Sequence, residues 1–133
     1  MSYILDNIVQ ILVATGAGLL FGFLWYRTLG QHAGAVPLTG GRAAVAFVAE
    51  FWLASILAGA LILAPPEAGE WVMAVGTPIV IWIGFVVPAL VVTLGRMGTR
   101  GSVIVQEAGH WFGVMLVQAL VLQLIGVSAP AAV

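Results

Sequence analysis

The sequence predicts an all-α membrane protein, a bundle of four transmembrane helices forming one domain over residues 1–133. Three observations predict it. Hydrophobic residues make up 62% of the chain and charged residues 7%, where a soluble domain carries roughly a quarter charged. Four apolar stretches each reach the roughly 20 residues needed to cross a bilayer core. Breaks rich in glycine and proline separate them. No stretch alternates like a barrel strand, and four strands could not close a barrel.

The first span is expected over residues 7–29. No positive segment precedes it and no small-residue cleavage site follows a short apolar core, so it reads as a retained helix rather than a signal peptide. Gly30 to Gly41, with Gly34, Pro37 and the Gly40-Gly41 pair, forms the first break. The second span, 43–64, is ended by Pro65-Pro66-Glu67. The third covers 72–95 and closes in the three glycines between Gly95 and Gly101. The fourth covers 103–127 and is followed by Pro130.

Orientation follows from the arginines. Arg27 and Arg42 flank the first loop and Arg96 and Arg100 the third, whereas the second loop has only Glu67 and Glu70. Loops one and three share a side, which the positive-inside rule makes cytoplasmic and which leaves both termini on the other face. Trp71 suits an interfacial anchor on the outer face and Trp25-Tyr26 one on the inner.

Composition excludes several function classes. The net charge of −1, with no lysine, offers no basic field for nucleic acid. Without cysteine there is no disulfide, thiolate metal site or cysteine nucleophile. No serine sits in a nucleophile elbow, no glycine loop suits phosphate, and the loops are too short for a substrate cleft. The chain is not expected to be an enzyme.

Within lipid, helices associate by close approach through small residues rather than by hydrophobic drive. Ala14, Gly18 and Gly22 form such a ridge on the first span, Ala46, Ala54 and Ala58 on the second, and Gly109 and Gly113 on the fourth. These faces predict packing inside the bundle. Of the two prolines in the third span, Pro78 and Pro88, the second removes the bond to the Gly84 carbonyl and predicts a kink there. A weak internal repeat pairs Leu57–Leu63 with Leu116–Leu122, Trp52 with Trp111 and Gly22-Phe23 with Gly84-Phe85. It suggests a helical hairpin duplicated in parallel about an axis along the membrane normal.

Ionisable residues inside a membrane mark a functional hypothesis. Counted from the flanking arginines, Glu50, Glu107 and His110 fall roughly 10–15 Å in from the cytoplasmic boundary at about 1.5 Å per residue. The Pro88 kink comes at a similar depth, and Arg27 is placed to snorkel toward it. Gln106, Glu107, His110 and Gln118 share one face of the fourth span, and Glu50 interrupts the alanine ridge of the second. A polar face of this kind should turn to the bundle or to a partner rather than to lipid.

Three readings of this cluster stay open. Its members can hold one another and give register to an apolar bundle. They can form a proton or ion pathway, since carboxylates and an imidazole in low dielectric exchange protons. They can also bind a ligand: a metal on Glu50, Glu107 and His110, or a tetrapyrrole on His110. Glu107-Ala-Gly-His110 matches one E-x-x-H pair, where a di-iron bundle needs two such pairs and two further glutamates. No cofactor is expected. His32, in the glycine-rich first loop, reads as simply solvated.

Gly22-Phe-Leu-Trp25-Tyr26, Trp82-Ile-Gly84-Phe85-Val-Val-Pro88 and Glu107-Ala-Gly109-His110-Trp111 together resemble the bacterial membrane family designated domain of unknown function 1761. The resemblance spans nearly the whole chain and implies a four-helix inner-membrane protein. Members show Ser-Pro where Arg27-Thr28 stands here, and Asn and Tyr where Glu107 and His110 stand. The family carries no activity to transfer.

These observations lead to the expectation of a small integral membrane protein working through helix packing. It would be an accessory subunit of a larger membrane complex or a homo-oligomer, its partners being lipid and other membrane subunits or itself. The alternative is a minimal transporter or proton/ion-conducting unit, dimeric, using the Glu/His cluster. A metal- or pigment-binding subunit is the third.

Overall fold

In the computed structural model, which describes residues 2–29, 37–65 and 67–129, every regular element is helical. They are α1 (Ser2–Asp6), α2 (Ile8–Thr28), α3 (Gly40–Ile62), α4 (Glu70–Ile81), a π-helical turn (Trp82–Val86), α5 (Val87–Arg96) and α6 (Gly101–Ile125). His32, Gly30, Gly34, Pro66 and Pro130 lie outside the described residues.

Four helical stretches are long and apolar enough to cross a membrane: Ile8–Thr28, Gly40–Ile62, Glu70–Arg96 and Gly101–Ile125, with mean hydropathies of 2.0, 2.1, 2.3 and 1.6. The chain is thus an all-α four-helix bundle of the multi-pass membrane type. Many outward-facing positions are apolar, as at Val9, Leu20, Val48, Ile83, Phe85 and Val105, which suits lipid as the solvent.

The helix ends follow local chemistry. The Asn7 N–H bonds to Tyr3 O and the Ile11 N–H to Asn7 O, both at 3.0 Å, so α1 and α2 run nearly as one helix. Its start at Ser2 precedes the expected position. Thr39, in extended conformation, opens α3, and Gly40-Gly41 belongs to that helix rather than to the loop. At the end of α5, Thr99 N–H reaches Leu94 O and Gly98 N–H reaches Gly95 O, each at 3.0 Å. This is a Schellman closure, and it puts Gly98 at φ +72, a conformation in which a side chain would be strained. Gly126, at φ +85, ends α6 with its N–H on Leu122 O.

Pro88 produces an irregularity of a particular kind. The Val87 N–H bonds to Trp82 O, five residues back, and so the turn before the proline is widened to a π turn. A proline ring in a regular helix clashes with the carbonyl four residues before it; the wider turn relieves that clash around Gly84.

The core is Ile11 and Ala14 from α2, Ala54, Leu57 and Ala58 from α3, and Met115, Ala119 and Leu122 from α6. The most extensive contact is between α2 and α6. Small residues on each receive large ones from the other. A β-carbon on Gly109 would lie 3.3 Å from the Trp25 ring, and one on Gly113 would enter the Phe21 ring. Gly18 and Gly22 in turn receive Gln118 and His110. Of the small residues singled out above, Ala14, Gly18, Gly22, Ala54 and Ala58 are buried, and Ala46, Gly109 and Gly113 are half-buried.

The third span stays at the side. It packs on α6 and, through α4, on α3, and among the described residues it makes no contact patch with α2. Ala74 and Pro78 are its buried residues, and the π turn and α5 have none. The two halves are consequently not packed alike: Gly22 is buried and its suggested repeat partner Gly84 faces outward.

Candidate functional site

Polar side chains, some buried and some exposed, join one helix to another. Tyr3 donates its hydroxyl to Ser55 O at 3.1 Å. Asn7 donates from Nδ2 to Ser128 O at 2.9 Å and accepts the Ser128 N–H on Oδ1 at 2.8 Å. Trp82 donates its indole N–H to Ala108 O at 2.7 Å, tying the third span to α6. Gln106 donates to Leu29 O at 2.8 Å, and Gln123 to Glu70 at 3.2 Å. An interhelical bond of this kind contributes roughly 0.6 kcal/mol in a membrane, up to about 1.7.

Two further contacts hold the ionisable residues. Glu50, 5% exposed, sits on the buried ridge of α3 with Ala54 and Ala58. Gln118 Nε2 donates to Glu50 Oε2 and to its backbone O, both at 3.3 Å. The bare face of α2 at Gly18 makes room for this contact, because a β-carbon there would stand 2.6 Å from Gln118 Nε2. Glu107, nearer the arginine-bearing end of α6, takes the Tyr26 hydroxyl on Oε2 at 2.7 Å.

His110 lies between the two, 4% exposed. Its ring is 4.7 Å from that of Tyr26, 5.3 Å from Trp111 and 6.3 Å from Trp25, centroid to centroid. Its Nε2 faces Gly22. Among the described residues, His110 Nδ1 and Gln118 Oε1 are buried without a hydrogen-bond partner. An unsatisfied buried polar atom costs about 1–3 kcal/mol, and here both belong to α6, about two turns apart.

The residues singled out from the sequence are thus divided. Glu50, His110 and Gln118 gather at the α2–α3–α6 junction, and Glu107 and Gln106 bond to the end of α2. Arg27 faces outward at that end, its guanidinium 5.9 Å from the Phe23 ring centroid. Pro88 also faces outward, away from the cluster. Among the described residues no three His, Cys, Asp or Glu side chains are grouped to hold a metal, so Glu50, Glu107 and His110 do not form the ligand set considered above. Common depth suggests a single cluster, but depth does not fix which neighbour a side chain meets.

The sequence marks Tyr26 only as an interfacial aromatic and gives no direct sign of its bond to Glu107. Tyr26 does lie one turn beyond Gly22 on the same face of α2, and that spacing is the signal that could have found it. The Asn7–Ser128 contact leaves no trace in hydropathy, since both residues fall at the margins of spans.

Comparison with known proteins found no matching family model, no matching curated protein and no matching solved structure.

Proposed function

We propose that this chain is a non-enzymatic membrane protein that works through helix packing, as an accessory subunit of a larger membrane complex or as a homo-oligomer. One observation carries the reading. The most apolar stretch of each of the other spans is 28–39% buried inside the chain, whereas that of Glu70–Arg96 is 6% buried. Three spans interlock, and the third presents Val80, Ile83, Phe85, Val91 and Val92 outward. Membership of the domain-of-unknown-function 1761 family, a bacterial inner-membrane location and termini outside the cytoplasm belong to the same proposal. The last is supported by four arginines at one end of the bundle.

Native mass spectrometry of the protein extracted gently from its own membrane tests it. A mass of several copies, or of this chain plus a foreign subunit, is expected; a bare monomer overturns the proposal. The absence of cysteine adds a local test. Single cysteines at Phe85 or Val92 should cross-link to a partner, and cysteines at Val9 or Leu20 should not.

A second reading, a minimal proton- or ion-conducting unit using Glu50, Glu107 and His110, is favoured by the burial of Glu50 and His110 and by the two unpartnered buried polar atoms on α6. Proton flux into vesicles carrying wild type or Glu50→Gln tests it: flux abolished by the substitution supports it, and absent wild-type flux removes it.

A further inference from the structure

Glu50 has too few donors around it for a carboxylate. Its side chain is buried and lies against the bare backbone of α2, with Oε2 at Gly18 and Oε1 at Gly22. Among the described residues its hydrogen-bond donor is Gln118 Nε2, 3.3 Å from Oε2 and shared with the Glu50 backbone O at the same distance. A charge-assisted N–H···O bond is shorter, about 2.7–2.9 Å. Neutral donors hold a buried carboxylate ionised when two or three of them converge on it. Here one amide serves, and its bond is divided. Gln118 shows the same shortage from the other side: its Oε1 is buried without a donor.

Charged groups do not make up the deficit. On α3 itself, Arg42 lies about two turns earlier, exposed and bonded to Pro37 O. On α2, Tyr26 gives its hydroxyl to Glu107 and Arg27 faces outward by Phe23. On α6, His110 reaches Gly22 without a hydrogen bond to Glu50, Glu107 would add negative charge, and Arg100 precedes the helix. The third span has its charged residues, Glu70 and Arg96, at its two ends. On α1, Tyr3 bonds to Ser55 O and Asp6 is a further acid. Among the described residues no ion pair reaches Glu50.

We infer that Glu50 is a carboxylic acid in the folded bundle and that its proton locks α3 against Gly18 of α2 and Gln118 of α6. The neutral acid keeps Oε2 as the acceptor for the Gln118 amide and needs no counter-charge. Ionisation breaks the carboxylic O–H bond and passes the proton to water. The carboxylate left behind then requires water or a cation. A β-carbon on Gly18 would already collide with both side chains, so neither fits while the three helices stay together. Loss of the proton therefore parts α3 from Gly18 and Gln118.

The first test is infrared spectroscopy of the full chain in lipid bilayers at neutral pH. Wild type should show the carbonyl band of a protonated carboxylic acid, and Glu50→Gln should lack it. Gln118→Leu, which removes the amide donor, should move the band to higher frequency. A spectrum without the band, or a band kept in Glu50→Gln, overturns the inference. If Glu50→Gln does not fold, Gln118→Leu decides, and an unmoved band overturns it.

The lock itself is read from reversible unfolding against pH in mixed micelles. A chain that binds a proton when folded and releases it when unfolded loses stability as pH rises. Its unfolding constant should climb by about tenfold per pH unit. The climb starts above the ordinary glutamate value of about 4.3 and ends where Glu50 ionises in the fold. Glu50→Gln should lack this climb; equal pH dependence in both proteins overturns the lock. The lock uses the same Glu50 as the conducting reading but needs no net transport. Absent vesicle flux therefore retires conduction alone, whereas a missing acid band or a missing climb retires the lock.

Discussion

Gly18 of α2 faces Gln118 of α6 so closely that a β-carbon on the glycine would stand 2.6 Å from the Gln118 amide nitrogen. That amide is the donor to Glu50, so three helices meet where one has no side chain. Gly18→Ala should force Gln118 off the carboxylate and destabilise the bundle by about 1–3 kcal/mol, the usual cost of overpacking. At Gly16, earlier in the same helix, an added methyl group would meet nothing within 4 Å. Gly16→Ala should be neutral or stabilising by up to about 1 kcal/mol, because alanine restricts the unfolded chain. Reversible unfolding of both variants in mixed micelles measures the difference; equal effects would show that helix propensity, not the Gln118 contact, sets the response.

In the same α2–α6 interface Phe21 occupies the space over Gly113. Gly113→Ala should cost about 1–3 kcal/mol, and Phe21→Leu, which shortens the intruding side chain, should recover part of it in the double variant. The coupling is read from a double-mutant cycle, where residues in contact show about 0.5–3 kcal/mol of interaction. Additive losses would mean that the two residues do not meet.

The helices are legible in the sequence because run length and hydropathy alone decide them, and the ends of the four apolar spans fall close to their expected positions. The departures have local causes. Gly40-Gly41 resembles a loop but follows a residue suited to open a helix, and α1 starts early because Tyr3 anchors it on Ser55. The interior placement of Glu50 is legible from the alanine ridge it interrupts. Its bond to Gln118 is not, because that requires the register between α3 and α6, which neither helix carries by itself. Glu107 shows the same lack: its expected depth matches that of Glu50, but the register of α6 against α2 gives it to Tyr26.

Pro88 is the reason for the π turn at Trp82–Val86, on the argument that the wider turn removes the clash with the Gly84 carbonyl. Pro88→Ala restores an N–H and removes the ring, and the turn should return to α geometry. Losing the extra residue of the π turn rotates α5 by about 100° relative to α4. Since α5 buries no residue, stability should change by less than about 0.5 kcal/mol. The accessibility of single cysteines along residues 89–96 to a lipid-phase label should shift by one position. An unchanged labelling pattern would show that the Trp82–Ala108 bond, rather than the proline, maintains the turn.

Asn7 closes the end of the bundle opposite the arginines. It is fully buried and donates to Tyr3 O at 2.8 Å and Ser128 O at 2.9 Å, with Oδ1 taking the Ser128 N–H. The residue thus satisfies both backbone groups of Ser128, just past the end of α6, from the junction of α1 and α2. Asn7→Leu roughly keeps the volume and removes both bonds to Ser128, which is itself exposed. The loss should be about 0.6–1.7 kcal/mol, the range for an interhelical bond in lipid. Asn7→Asp separates the two halves of the clamp, since it retains the acceptor for the Ser128 N–H and removes the donor to Ser128 O. Its loss should be intermediate. Hydrogen exchange at the Ser128 amide distinguishes the variants: rapid exchange is expected in Asn7→Leu and retained protection in Asn7→Asp. Equal protection in both would show that the segment after α6 is held by packing of Val127 against the core and not by the clamp.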